Sequence, residues 1–363
     1  MVVLPNPSKN NLNFFKELKT VFDSLSSEGQ SKFIHDLLSL YELFRLGVGL
    51  PQPYYIIPDH SVLAAIRDFE IEGKEEERSR TLSFISLIFF LKAYTDYDLR
   101  LAISPLILYE WIERKELKDE ASFKSELSRL HQHLEILDLT FYQMGLTTFK
   151  EAQRNINNII SDIEQITKTL DVIRNRDWDL KFIREDHVYF PPYITSPLVP
   201  KIKLQYFSQH YTNLFFRSVI ESKAIGNNSD KRVRSELKND GVNTMASLMK
   251  IKKGKLKGAG DLGLLQICDI GSLFLNDSKF TTIGLTFDRI LSMVLFNHSE
   301  FLIESGVFQT GTKNEAKFHQ VMKGFFDKVE YADKINEKQS LFSERFHMKF
   351  TVDLELALTA KSS

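Results

Sequence analysis

Residues 54–63, YYIIPDHSVL, form an apolar run that ends in an acid and passes into a helical pattern. A short apolar run without alternation is typical of a strand buried on both faces, as strands are in a parallel sheet covered by helices. Two further segments of strand type follow, at 98–104 and 281–287. The sequence therefore predicts an α/β protein with a parallel sheet flanked by helices.

Four acidic residues occupy contexts in which an open α/β sheet presents its ligand-binding ends. Asp59 and Asp288 follow predicted strands, whereas Glu110 and Asp261 lie in helices that come after a strand and after a Gly-rich turn. Carboxylates gathered at one place repel each other unless a hard cation such as Mg²⁺ or Mn²⁺ offsets their charge. We therefore expect a metal site, whose natural chemistry is the hydrolysis of a phosphodiester.

The four contexts, taken in order, resemble those of the PIN-domain nucleases. In that family the first acid ends the first strand and is followed at the second position by Ser, Thr or Asn, as Asp59 is by Ser61. The second acid lies inside the helix after a second strand, as Glu110 does, and the third opens a helix, as Asp261 does. The fourth follows a strand in a Thr-x-Asp pattern, which residues 286–288 match. The resemblance implies a PIN-like parallel sheet.

The resemblance also implies a function, which is metal-dependent endonuclease activity with RNA rather than DNA as the substrate. Family members serve as toxins, in RNA maturation and decay, and in defence against mobile elements, so a bacterial toxin or antiviral defence effector is the implied role. The implied metal ligands and catalytic residues are Asp59, Glu110, Asp261 and Asp288. Asp269, eight residues after Asp261, is the alternative third acid.

The resemblance assigns different tasks to these acids. Asp59 and Asp288 are expected to bind the metal directly, Glu110 to bind it or to orient a water, and Asp261 to bind a second, weaker metal. The hydroxyl residues expected to hydrogen bond around the ligands are Ser61 and Thr286. The alternative is that the acids are ordinary helix N-caps and turn residues, which Asp commonly is.

The spacing of the acids predicts how the chain is divided. Glu110 and Asp261 are 151 residues apart, so a PIN-like core requires a large, mainly helical insertion between its halves. The expected parts are a helical N-terminal extension at 1–50, the first half of the core at 51–115, the insertion at 116–240, the second half of the core at 241–310, and a C-terminal extension at 311–363.

Residues 116–175 are expected to be wholly helical. Their second half has apolar residues that recur every three and four positions, the spacing of a helix–helix seam: Ile156, Ile159, Ile163, Ile166, Leu170 and Ile173. Either the seam packs on this chain's own core, or it forms a homodimer or protein-partner interface. The second interpretation leads to the alternative function, a non-catalytic interaction protein with a degenerate nuclease fold.

Charge and composition restrict how the chain can bind nucleic acid. With 43% hydrophobic and 26% charged residues the sequence is that of a globular protein. The formal net charge of −1 provides no overall attraction to nucleic acid, so binding must depend on a local basic patch. The best candidates are five lysines that precede Asp261: Lys250, Lys252, Lys253, Lys255 and Lys257. We expect them to hold substrate phosphates, the alternative being a solvated loop that offsets the carboxylates.

Cysteine usage and apolar runs indicate the compartment. The single cysteine, Cys268, excludes an intramolecular disulfide and fits a reducing cytoplasm. The most apolar run, residues 82–91, is too short to span a bilayer. The N-terminal residues lack the charged-then-apolar pattern of a secretion signal. We therefore expect a cytoplasmic location and no membrane partner.

Overall fold

The computed structural model describes residues 11–46, 52–69, 75–94, 97–176, 184–185, 187–188, 202–227, 246, 248, 251–252, 255–268, 280–288 and 291. Its strands, in chain order, are β1 Tyr54–Pro58, β2 Leu99–Ile103, β3 Thr140–Gln143, β4 Arg184–Glu185, β5 His187–Val188, β6 Ile251–Lys252, β7 Lys255–Leu256 and β8 Thr281–Leu285. Its longer helices are α1 Asn11–Asp23, α2 Ser27–Leu46, α3 His60–Arg67, α4 Glu75–Tyr94, α5 Pro105–Trp111, α6 Glu120–Leu134, α7 Phe149–Asn175, α8 Gln209–Asn227 and α9 Ala259–Ile267.

The main sheet has four parallel strands in the order β3-β2-β1-β8. β1 is central, and all five of its residues are buried, because helices cover the sheet and no face of this strand meets water. The predicted α/β class and parallel sheet are thus confirmed. Pro58 at the end of β1 pairs with Leu285 at the end of β8, so the residues that follow both strands lie at the same edge.

Local signals explain where the helices at that edge begin. The Asp59 side chain accepts hydrogen bonds from the backbone N–H groups of His60 and Ser61 and so caps α3. Ser104 caps α5 in the same way, and Pro105 occupies the first helical position, where its missing N–H has no cost. Each helix therefore begins two residues after a strand ends, with only the capping residue between them, which places its first turn over the end of the strand.

The expectation that residues 116–175 are wholly helical is wrong, because β3 joins the sheet beside β2. Asp138 and Gly145 flank β3 with positive φ angles of 47° and 65°, which turn the chain before and after the strand. Phe141 faces His131 of α6, with ring centroids 4.6 Å apart, while Tyr142 is 47% exposed on the other face. A four-residue edge strand has too short an alternation to stand out between two long helices.

The apolar seam of α7 is buried within this chain. Five of the six seam residues are 0% exposed, namely Ile156, Ile159, Ile166, Leu170 and Ile173. Ile163 is half-buried against the same core. The helix packs on α5 and α8 of its own chain. The seam is therefore part of the chain's own core, the first of the two interpretations.

The structure describes only some of the predicted parts of the chain. The division of the chain after residues 50, 115, 240 and 310 stays a prediction, and residues 311–363 lie outside the described part. Among the described helices, none combines the length and the apolar character needed to cross a membrane.

Candidate functional site

Asp59 is held at the edge of the sheet where β1 and β8 end. Its backbone N–H donates to the carbonyl of Leu285 at 2.8 Å, which ties the end of β1 to β8. Its Oδ2 accepts hydrogen bonds from the hydroxyls of Ser61 at 2.8 Å and Thr286 at 3.0 Å. Two hydroxyls that are more than 200 positions apart in the sequence thus orient the Asp59 carboxylate.

The same two hydroxyls order the chain after β8. The Phe287 N–H donates to Ser61 Oγ at 2.9 Å, and the Asp288 N–H donates to Thr286 Oγ1 at 2.9 Å. Asp288 Oδ1 accepts from the Leu291 N–H at 3.1 Å, as a helix-capping residue does, and its side chain is exposed. Ser61 and Thr286 therefore connect the first and fourth acids, and these contacts agree with the hydrogen-bonding task expected of them.

Glu110 enters the same place from α5. Its side chain is 11% exposed, and Oε1 receives a hydrogen bond from Arg114 Nη2 at 3.2 Å. Burial raises the pKa of the Glu110 carboxyl to about 7, and the negative charge of Asp59 adds to the rise. Arg114 lowers this pKa without offsetting the rise. The ionised form of Glu110 is therefore disfavoured at this place, in spite of its ion pair with Arg114.

Asp261 lies in the first turn of α9 and completes the group. Burial raises the pKa of its carboxyl to about 8, and the charges of Asp59, Glu110 and Asp288 each raise it further. The four acids predicted from the sequence are therefore near enough for the charges of the other three to act on Asp261. Asp269, the alternative third acid, lies outside the described residues.

Two glycines allow α9 to approach α5. A Cβ at Gly260 would lie 2.8 Å from Oε2 of Glu110, and a Cβ at Gly263 would collide with Cδ2 of Leu106. These two glycines are three residues apart, so they lie on the same face of α9. The close approach of the two helices is what places Asp261 beside Glu110.

Arg114 is the residue of the site that sequence patterns did not single out. Its Nη1 donates to the carbonyl of Leu256 at 3.0 Å, and its backbone, like that of Glu113, has a positive φ, of 64° and 56° respectively. Two successive non-glycine residues in this region are uncommon and mark a constrained turn. The available signal was its position four residues after Glu110, the spacing of an ion pair on one helix face.

The predicted lysine run reaches the site as a hairpin. β6 and β7 are antiparallel, with Lys252 opposite Lys255. Lys257, just after β7, is exposed, and its charge lowers the pKa of Glu110. Lys250 and Lys253 lie outside the described residues. The run therefore ends beside the carboxylates, at the end where Lys257 lies.

The carboxylates of the four acids, with the hydroxyls of Ser61 and Thr286, are chemically suited to a hard divalent cation. Their side chains are not arranged around one. Within the described ranges, no three His, Cys, Asp or Glu side chains are close enough to hold a metal ion. The cleft lined by Asp59, Glu110 and Gly260 has a volume of about 10 Å³, space for about one water. Carboxylates and hydroxyls are the ligands that Mg²⁺ prefers, and two carboxyls with raised pKa values are groups whose ionised form a cation would stabilise.

No family model matches the chain, and neither the curated proteins nor the solved structures include a match. The geometry and chemistry of the site are therefore the basis for assigning a function.

The raised pKa values predict how stability depends on pH in the absence of metal. Between the ordinary value of 4.5 and about 7, folded Glu110 holds a proton that the unfolded chain has released. Stability therefore falls as pH rises through this window.

A change of Glu110 to Gln removes this titration. We expect the free energy of unfolding of Glu110→Gln, relative to the unchanged protein, to increase by on the order of 2 kcal/mol between pH 5 and pH 8. Urea denaturation with a chelator measures this, and a constant difference would contradict it.

Proposed function

We propose that the protein is a metal-dependent endonuclease with a PIN-like fold that hydrolyses phosphodiester bonds. The observation that carries the proposal is the cleft lined by Asp59, Glu110 and Gly260, the residue next to Asp261, although these residues come from separate parts of the chain. The charges of Asp59, Glu110 and Asp288 act on Asp261 as well. Asp59 also caps α3, but capping acts within one helix and does not bring separate acids together. Convergence at the carboxyl ends of parallel strands is the arrangement of an α/β ligand site.

The proposed cofactor is Mg²⁺ or Mn²⁺, bound by Asp59, Glu110, Asp261 and Asp288. When bound, such a cation activates a water and stabilises the charge that develops on the phosphate. The protein's part is to orient Asp59 through Ser61 and Thr286 and to keep Glu110 largely buried beside Arg114. A cation bound there would stabilise the ionised form of Glu110, and the carboxylate would then bind the cation or orient the attacking water.

Arg114 is proposed to contact the phosphate that is cleaved. Its guanidinium is 25% exposed and stands between Glu110 and the carbonyl of Leu256. A guanidinium presents paired donors that match two phosphate oxygens. Because the carbonyl of Leu256 and the constrained turn both hold Arg114, its position is set before substrate binds, and it supplies positive charge beside the acids.

The choice of RNA over DNA, and a role as a bacterial toxin or defence effector, rest on the resemblance to the PIN-domain nucleases alone. A direct test is to incubate the purified protein with labelled single-stranded RNA, structured RNA and DNA. Each substrate is tested with Mg²⁺, with Mn²⁺ and with a chelator. We expect cleavage of RNA with either metal and none with the chelator. Cleavage of DNA alone would reassign the substrate, and metal-independent cleavage would overturn the proposal.

The lysine hairpin is expected to bind phosphates of the substrate without reading its sequence. Each lysine that contacts single-stranded substrate contributes about 0.7 to the slope of binding against salt. Changing Lys252, Lys253 and Lys255 together to Ala should therefore flatten that slope by about two units, without moving the cleavage positions. Binding is measured by fluorescence anisotropy across a salt series.

The matched control changes three exposed lysines of α6, α7 and the chain before α6 to Ala: Lys118, Lys124 and Lys168. This control variant also loses three positive charges, but at positions outside the hairpin. Its slope of binding against salt should equal that of the unchanged protein. Equal slopes for the hairpin variant and the unchanged protein would mean that the hairpin lies away from the substrate.

A further inference from the structure

We propose that Asp162, which is not one of the four acids, is a positioning residue that sets the separation of Glu110 and Asp261 by ordering the 205–208 segment. The inference rests on the proposed function, because the separation matters for binding a cation between these two carboxylates. Three sets of contacts connect Asp162 to the two helices that carry them.

The first set anchors the 205–208 segment to α7. The Asp162 side chain is 0% exposed. Its two oxygens accept hydrogen bonds from the backbone N–H of Gln205 at 3.0 and 2.9 Å, and Oδ2 also accepts from Tyr206 at 2.7 Å and Phe207 at 3.0 Å. A buried carboxylate is costly unless hydrogen bonds satisfy it. Here successive backbone N–H groups do so, which fixes the conformation of the segment.

The second set joins the segment to the start of α5. The Tyr206 hydroxyl lies beside the side chain of Ser104 and the backbone of Leu106, and its interactions with both act against the rise in its pKa that burial causes. Ser104 is the N-cap of α5, and Leu106 is in its first turn. Glu110 is four residues farther along the same helix. A shift of Tyr206 would therefore move the end of the helix that aims Glu110.

The third set joins the segment to α9. Gln266 Nε2 donates to the carbonyl of Tyr206 at 3.1 Å, and Gln266 Oε1 accepts from the Ser208 N–H at 2.6 Å. Gln266 lies on α9 five residues after Asp261. The ring of Phe207 is 3.8 Å from the position of a Cβ at Gly263, where α9 passes closest to α5.

One short segment thus holds both acid-bearing helices while Asp162 holds the segment. Groups that orient metal ligands from outside typically affect affinity by about 10- to 100-fold when changed. A small displacement is enough, because ligand sites tolerate errors of only about half an ångström. In this proposal Asp162 does not bind the cation itself. Its effect on Glu110 and Asp261 passes through the 205–208 segment.

Two variants test the role at different points. Asp162→Asn keeps the shape but turns an accepting atom into a donor that faces backbone N–H groups. Tyr206→Phe keeps the ring and removes only the hydroxyl that reaches α5. The matched control is Asp171→Asn, an exposed position on the same helix. For each full-length protein we would measure Mn²⁺ affinity by calorimetry, thermal unfolding with a chelator, and RNA cleavage against Mg²⁺ concentration.

We expect both test variants to bind Mn²⁺ about 10- to 100-fold more weakly. They should need correspondingly more Mg²⁺ for half-maximal cleavage, with an unchanged KM for RNA, and the control should match the unchanged protein. A merely structural role would lower the unfolding temperature and leave the affinity of the folded protein unaltered, which would overturn the inference. If the unchanged protein binds no Mn²⁺, the proposed function fails, and the positioning role fails with it.

Discussion

Replacing Asp59 with Asn is expected to abolish metal-dependent cleavage while the protein stays folded. Asn is also a good capping residue, and with its oxygen in the place of Oδ2 it can still accept from the hydroxyls of Ser61 and Thr286. The change removes a charge, an anionic ligand and the hydrogen bond that Oδ1 accepts from the His60 N–H. Because residues that merely orient a ligand affect activity by about 10- to 100-fold, loss of a direct ligand should exceed about 100-fold. Single-turnover cleavage of labelled RNA measures the effect, and Asp288→Asn should behave alike.

The control for this prediction is Asp119→Asn. Asp119 caps α6, and its carboxylate accepts from the Ser122 N–H at 2.7 Å, so it has the same local role as Asp59. It should cleave RNA as the unchanged protein does. Near-normal turnover by Asp59→Asn would rule out its assignment as a ligand. In the absence of metal and at a pH above about 8, where Glu110 and Asp261 are ionised, Asp59→Asn should also unfold at a higher temperature, because it removes the repulsion between Asp59 and these two carboxylates.

Replacing Leu170 with Glu is expected to prevent folding. Leu170 is 0% exposed in the seam of α7. The change loses about 1.5–3 kcal/mol of apolar burial and places an uncompensated charge in the core, which costs about 3–5 kcal/mol. The sum is comparable to the entire stability of about 5–15 kcal/mol that globular proteins have. We expect insoluble protein, or soluble protein without a cooperative unfolding transition in circular dichroism.

Val172→Glu provides the matched control, because it also replaces an aliphatic residue with Glu, two residues along the same helix, at a side chain that is 60% exposed. Surface changes of this kind usually alter stability by less than about 0.5 kcal/mol. The unchanged protein and the Val172→Glu variant should therefore unfold at similar temperatures. If Leu170→Glu were a folded monomer and the unchanged protein a dimer, the seam would be a partner interface instead of core.

The strands and caps at the site could be predicted because their signals are local. The apolar run before Asp59, and Pro105 after a strand, each act through neighbouring residues in the chain. Strands β1 and β2 and the starts of α3 and α5 are found where those signals place them. The four acids could also be selected from the sequence, since each lies within a few residues of a predicted strand end, a Gly-rich turn or the start of a helix.

The arrangement of these parts depends on contacts between residues far apart in the chain. Thr140, Phe141 and Tyr142 are strand-forming residues between two turn residues, but so short a run becomes the edge of the sheet only because it pairs with β2. The approach of Asp261 to Glu110 depends on Gly260 and Gly263 fitting against α5, across 151 residues of chain. Asp162 is a mid-helix acid in the sequence and an anchor in the structure, because only packing brings the N–H groups of residues 205–207 to its buried oxygens.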